Sequence, residues 1–119
     1  MLPENNIGYV FDKELPTLYW NIKTRIEFLQ RRIIVFSIMY YELNENVISD
    51  KQFDDISHQL VEYMNTTEKE ILEQTQYYYV LKDFDGSTGF YIFDNLNEKD
   101  KKYLTQIANH ILSLYKGEK

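Results

Sequence analysis

The sequence predicts an all-α fold: a hairpin made of one long helix and a second helix, packed with two further C-terminal helices. Three observations predict it. Apolar residues recur in alternating steps of four and three from Ile22 to Leu43, the spacing of one buried helical stripe. Ser49-Asp50-Lys51-Gln52 and Thr67-Glu68-Lys69-Glu70 both carry the Ser/Thr-x-x-Glu/Gln signature of a helix start. Near the end, Leu104, Ile107, Ala108, Ile111 and Leu114 share one helical face.

In chain order, residues 1–16 read as an irregular lead-in that ends at Leu15-Pro16-Thr17, because proline suits a first helical turn, where its missing N–H is not needed. The long helix is expected to run from there to Leu43, through Ile22, Ile26, Leu29, Ile33, Phe36, Tyr40 and Leu43. Its last part, Ile33 to Tyr41, is apolar almost all round, so this end should sit in the middle of the fold. Asn44-Glu45-Asn46-Val47-Ile48 breaks the pattern. Ser49 then caps a second helix with Asp50 in its first turn and Phe53, Ile56, Leu60 and Met64 on its core face. So short a link implies an antiparallel pair, placing the hairpin at 17–64. Thr67 is expected to cap a third helix through Ile71, Leu72 and Tyr78, although Tyr77-Tyr78-Tyr79-Val80-Leu81 is equally good strand material. A turn-rich loop holding Gly86 and Gly89 spans Asp83 to Asp94, so a short strand or loop is expected near 77–94. Asn97 caps the last helix. No repeat, linker or low-complexity tract interrupts the chain, which at 119 residues reads as one domain.

Hydrophobic residues make up 44% of the chain, enough for a packed core. The chain has no cysteine, which rules out disulfides and Cys-ligated metal and fits a reducing compartment. With no basic-then-apolar leader at Met1-Leu-Pro-Glu-Asn-Asn and no apolar run near the ~20 residues of a bilayer span, the expected location is the cytoplasm, away from membranes. The net charge of −6 disfavours nucleic acid as a partner. A basic strip, Lys23, Arg25, Arg31 and Arg32, reads as a solvated helix face balanced by Glu27.

The distinctive stretch is Tyr40-Tyr41-Glu42-Leu43-Asn44-Glu45-Asn46-Val47-Ile48-Ser49-Asp50-Lys51-Gln52-Phe53-Asp54. It resembles the N-terminal helical domain of bacterial NAD-dependent DNA ligases, over roughly residues 30–64 by the limits of reading one sequence. In that domain an aromatic helix end, a short loop, a [S/P]-D-x-x-Y-D string and a leucine-rich helix follow one another. It also looks like small bacteriophage-encoded proteins known mainly by their ligase likeness. The resemblance implies that Tyr40, Asp50 and Asp54 match residues contacting the nicotinamide mononucleotide half of NAD. Two positions depart: Tyr41 stands where the family has histidine, and Phe53 where it has tyrosine. Both changes remove a polar contact.

The residues support this reading on their own terms. Asp50 and Asp54 share one helical face beside the Phe53/Ile56/Leu60 stripe, whereas Asp55 and Glu62 point to the solvent side. Tyr40 lies about one turn before the loop and Asp50 about one turn after it, so the three can meet at the open end of the hairpin. A phenol face stacks on a cationic nicotinamide ring, and carboxylates accept hydrogen bonds from ribose hydroxyls or a carboxamide. Asp50 alone could be a first-turn acid, and Tyr40 and Phe53 alone core aromatics.

Other chemistry fails on spacing. Lys82-Asp83-Phe84-Asp85-Gly86 has one residue too many for the Lys-x-Asp-Gly of a ligase, and the chain is too short for the remaining ligase parts. Asp83 to Asp94 resembles a calcium loop but lacks its glycine position and terminal glutamate, so Asp85-Gly86 reads as a turn. His58 and His110 lie on different helices without metal spacing, and no nucleophile set assembles. The expectation is a non-enzymatic protein. In one version it holds NAD, nicotinamide mononucleotide or a related ligand at Tyr40, Tyr41, Asp50, Phe53 and Asp54, as sensor, sponge or accessory module. In the other, its eleven tyrosines serve an interface that inhibits or redirects a host protein during phage infection.

Overall fold

The computed structural model describes residues 21–45, 47–87 and 89–116. Among them are six α-helices and no strand: α1 (Ile22–Ser37), α2 (Asp50–Thr66), α3 (Lys69–Glu73), α4 (Tyr78–Leu81), α5 (Ile92–Asn95) and α6 (Glu98–Tyr115). A π-helical turn, Ile38–Glu42, continues α1. The lead-in 1–16 and the helix start at Pro16-Thr17 lie outside the described residues.

Asn21, in an extended backbone conformation, opens α1, and its side chain accepts the Thr24 N–H at 2.8 Å. The long helix thus starts at Ile22, and the part of the expectation before residue 21 lies outside the described residues. Beyond the cap, α1 is the axis of the fold, touched by α2, α3, α5 and α6. Ile26, Ile33, Ile34 and Ile38 are fully buried along it, each removal from water contributing about 1.5–3 kcal/mol.

The expected α2 start is present in full. Ser49 Oγ accepts the Gln52 N–H at 3.1 Å, and the Ser49 N–H donates to Gln52 Oε1 at 2.8 Å, so two orphan donors are satisfied reciprocally. Arg25, near the start of α1, donates to the Tyr63 hydroxyl near the end of α2 at 3.3 Å. The last turn of α1 and the first turn of α2 line one cleft, so α2 runs back along α1.

The C-terminal half departs from the expectation of two helices. The Thr67 N–H closes α2 by donating to the Tyr63 carbonyl, and α3 starts from Glu68 with no side-chain cap. α3 then stops at Glu73 because side chains of α1 capture the backbone that would continue it. Glu27 Oε2 accepts the Gln76 N–H at 3.0 Å, and buried Gln30 accepts the Tyr77 N–H at 3.2 Å. The Gln30 amide also donates to Thr75 Oγ1 at 2.9 Å, and that hydroxyl donates to the Leu72 carbonyl at 2.6 Å. The tyrosine run after this clasp forms α4, with Tyr77 wholly buried at its start. Period-two strand character is overridden because no partner strand is present among the described residues and a helical turn satisfies its own backbone.

Asn97 caps α6, its side chain accepting the Asp100 N–H at 2.7 Å. Leu104, Ala108 and Leu112 are buried there, with Ile107 and Ile111 packed at the edge, but Leu114 is exposed. The expected face thus rotates in the last turn, and Leu112 takes the core position. Tyr79, on α4, ties α6 down by donating to Asp100 Oδ2 at 2.5 Å while accepting the Asn97 N–H at 3.2 Å. Burial, then the hydrogen bond to Asp100, pushes the Tyr79 phenol up to about 12. Burial likewise raises Tyr77, with the Asp100 charge adding and Arg31 offsetting.

Candidate functional site

The π turn shapes the end of α1. The Leu43 N–H donates to the Ile38 carbonyl, five residues back, at 3.0 Å, and the wider turn advances the following residues relative to a 3.6-residue period. Ile38 and Met39 therefore stay buried, while Tyr40, which the apolar stripe assigns to the core, is 50% exposed with Tyr41 beside it. Asn44 then takes a left-handed backbone, φ 57°, the conformation that ends helices and that asparagine tolerates.

These turns border a cleft of about 290 Å³. All five residues singled out from the sequence, Tyr40, Tyr41, Asp50, Phe53 and Asp54, line it. The Tyr40 and Tyr41 rings meet edge to face, centroids 4.7 Å apart and planes at 89°. Phe90 extends this wall, 6.5 Å from Tyr41. Phe53 is half-buried and packs on the core. Asp50 and Asp54 are both exposed, one helical turn apart. Neither carboxylate has a hydrogen-bond or ion-pair partner among the described residues. Asp55, by contrast, is held on the other side of α2 by Lys51 at 3.1 Å.

Asp50 has a structural use, because a first-turn acid complements the helix dipole. Asp54 has none: it stands beyond the first turn and repels Asp50 at i,i+4, a pairing that costs about 0.2–0.5 kcal/mol.

Sequence reasoning overlooked three further residues. Ser37 lines the cleft and is 3% exposed, yet its Oγ has no hydrogen-bond partner among the described residues. Its signal was legible: it is the one aliphatic-hydroxyl residue inside the apolar run 33–41. Gly89 leaves room for that hydroxyl, since a Cβ there would collide with Ser37 Oγ and lie 3.1 Å from Ile92 Cδ1. Glu45, in the loop, lines the cleft and is bound by Lys116 at 2.7 Å. Ser87 joins from the loop after α4, and no sequence signal pointed to it.

The calcium-like loop forms a turn instead. Gly86 adopts φ 89°, and Asp85 Oδ1 accepts the Ser87 N–H at 2.9 Å and the Ser87 hydroxyl at 2.6 Å. Those hydrogen bonds, the hydroxyl's first, hold the Asp85 carboxyl below its usual range. Of the basic strip, Lys23 pairs with Glu27 at 3.4 Å, and Arg32 lies over the Phe28 and Phe36 rings.

The cleft thus offers aromatic faces, two unneutralised carboxylates and a buried hydroxyl, with no lysine or arginine among its described lining residues. Chemically it can stack a flat ring and attract positive charge. Among the described residues, no group of three or more His, Asp or Glu side chains could hold a metal ion, and no helix is long and apolar enough to cross a membrane. No family model matches the chain, and comparison with curated proteins and with solved structures finds no match.

Proposed function

We propose that this protein is a non-enzymatic binding module that holds a nicotinamide nucleotide, or a ligand related to it, in the cleft between the end of α1 and the start of α2. It would serve as a sensor, sponge or accessory subunit, in the host cytoplasm if the gene is carried by a phage. The observation that carries the reading is convergence. Five residues selected by a resemblance to the nicotinamide-mononucleotide-binding hairpin of DNA ligases, spread over fifteen positions of sequence, border one cleft. The absence of any stabilising partner for Asp54 supports it further, since a carboxylate without a structural use is available to a ligand.

Titration calorimetry with NAD and nicotinamide mononucleotide tests it. Binding of at least one of the two with a dissociation constant of about 1 mM or tighter is expected, weakened by Asp54→Ala without a change in melting temperature. Absence of heat with both, or a large stability loss in the variant, overturns the assignment.

A second reading rests on the exposed aromatics. Phe90 is 62% exposed and adjoins Tyr41 and Tyr91, and such side chains anchor protein interfaces. In this reading the same end of the molecule docks on a host or phage protein. A stable complex that Phe90→Ala dissolves, with no nucleotide binding, would favour it.

A further inference from the structure

Resting on the small-ligand reading above, we infer that the cleft selects a phosphate-free organic cation of nucleoside size, an N-substituted pyridinium, over the corresponding mononucleotide. The pyridinium ring comes from that reading, and three observations carry the selection against phosphate.

The first is charge. The described lining contains Glu45, Asp50 and Asp54 and no lysine or arginine. The neighbouring cations are already engaged: Lys51 faces Asp55, and Lys116 is on Glu45. A phosphate at this mouth meets carboxylates with no guanidinium or ammonium to bind it, although such contacts are how proteins usually hold phosphate.

The second is the helix terminus that would otherwise receive the anion. A helix N-terminus is a ready phosphate site, and α2 begins at the cleft. Its capping box, however, already uses the Ser49 and Gln52 N–H groups, and Asp50 brings negative charge into the first turn. Two of the N–H groups at this terminus are thus taken by the protein's own oxygens.

The third is shape. Tyr40 and Tyr41 stand at right angles and line the cleft together with Asp50 and Asp54, so aromatic rings and acids border the same space. That combination binds organic cations, whose charge sits over the ring quadrupole. At about 290 Å³ the cleft is at the small end of ligand sites, ~300–1,000 Å³, which suits a ring with one sugar better than a dinucleotide.

The test compares nicotinamide riboside, 1-methylnicotinamide, nicotinamide mononucleotide and tetramethylammonium by calorimetry or ligand-observed NMR on the full chain at two salt concentrations. The riboside should bind at least about tenfold more tightly than the mononucleotide, and raised salt should weaken it. The double variant Asp50→Asn/Asp54→Asn should narrow that gap to about threefold or less, because it removes the charge that rejects phosphate. Equal or tighter binding of the mononucleotide overturns the inference while leaving the nicotinamide reading intact, and so does a gap that survives the double variant. Binding of tetramethylammonium without any nicotinamide compound overturns the nicotinamide reading and supports cation selection. Binding of none of the four overturns both.

Discussion

Two buried polar side chains on α1, Gln30 and Ser37, sit seven residues or about two helical turns apart and meet opposite fates. Gln30 uses both ends of its amide: it donates to Thr75 Oγ1 and accepts the Tyr77 N–H. Ser37 is equally buried, yet its hydroxyl has no partner among the described residues. The first closes the α3–α4 turn against the core. The second lines a cleft whose carboxylates are also unpaired. A buried polar group that is fully bonded specifies a fold, and one left unbonded carries a cost that packing does not repay. The contrast separates the structural end of this helix from the end available to a ligand.

The largest effect expected from breaking this contrast lies at Gln30. Gln30→Leu strands the Tyr77 N–H in the core and removes the Gln30–Thr75 hydrogen bond, and should destabilise the protein by about 2 kcal/mol in urea unfolding. A loss below ~0.5 kcal/mol would mean that the clasp is incidental.

Next in size is Tyr79→Phe, which removes the tie between α4 and α6. Near neutral pH it should cost about 1 kcal/mol, a modest value because the bond is partly exposed to solvent. Its pH dependence follows from the raised phenol. The folded value is about 12 against 10 for an ordinary tyrosine, so this stabilisation is complete below pH 10 and is lost as the pH rises towards 12. The difference between wild type and variant should therefore shrink across that window in alkaline unfolding curves. A gap constant with pH would show that the Asp100 bond contributes nothing.

Ser37→Ala should produce the smallest change in stability, between no effect and a gain of about 0.5 kcal/mol, since it deletes an unsatisfied group. A clear destabilisation would return Ser37 to the structural class and erase the distinction from Gln30.

Much of this could be read from residue order because it rests on local chemistry. The Ser49–Gln52 and Asn97 caps form between groups three residues apart, and the Ile26/Leu29/Ile33 stripe needs only a helical period. The clustering of Tyr40, Tyr41, Asp50, Phe53 and Asp54 was legible for a related reason: a five-residue link brings the flanking helix ends together. Thr67 misled, because its N–H went to closing α2. Tyr40 was assigned to the core stripe because a 3.6-residue period was carried through the π turn, which shifts the register from Ile38 onward. Leu114 was misplaced in the same way, by extending a period into a last turn that no neighbouring element covers.

Residue order by itself determined the all-helical class, the start of α2 and of α6, and the facing of two acids on one helical side, since all are set by contacts within a turn or two. Tertiary structure alone decided that α3 and α4 would be separate pieces, that Tyr40 and Tyr41 would face outward, and that Ser37, Glu45 and Ser87 would belong to the cleft. The physical reason is range. The clasp joins Gln30 to residues 75 and 77, and the cleft joins the end of α1 to a loop some fifty positions away. Such pairings depend on which surfaces the packed core leaves in contact, and no local pattern encodes them.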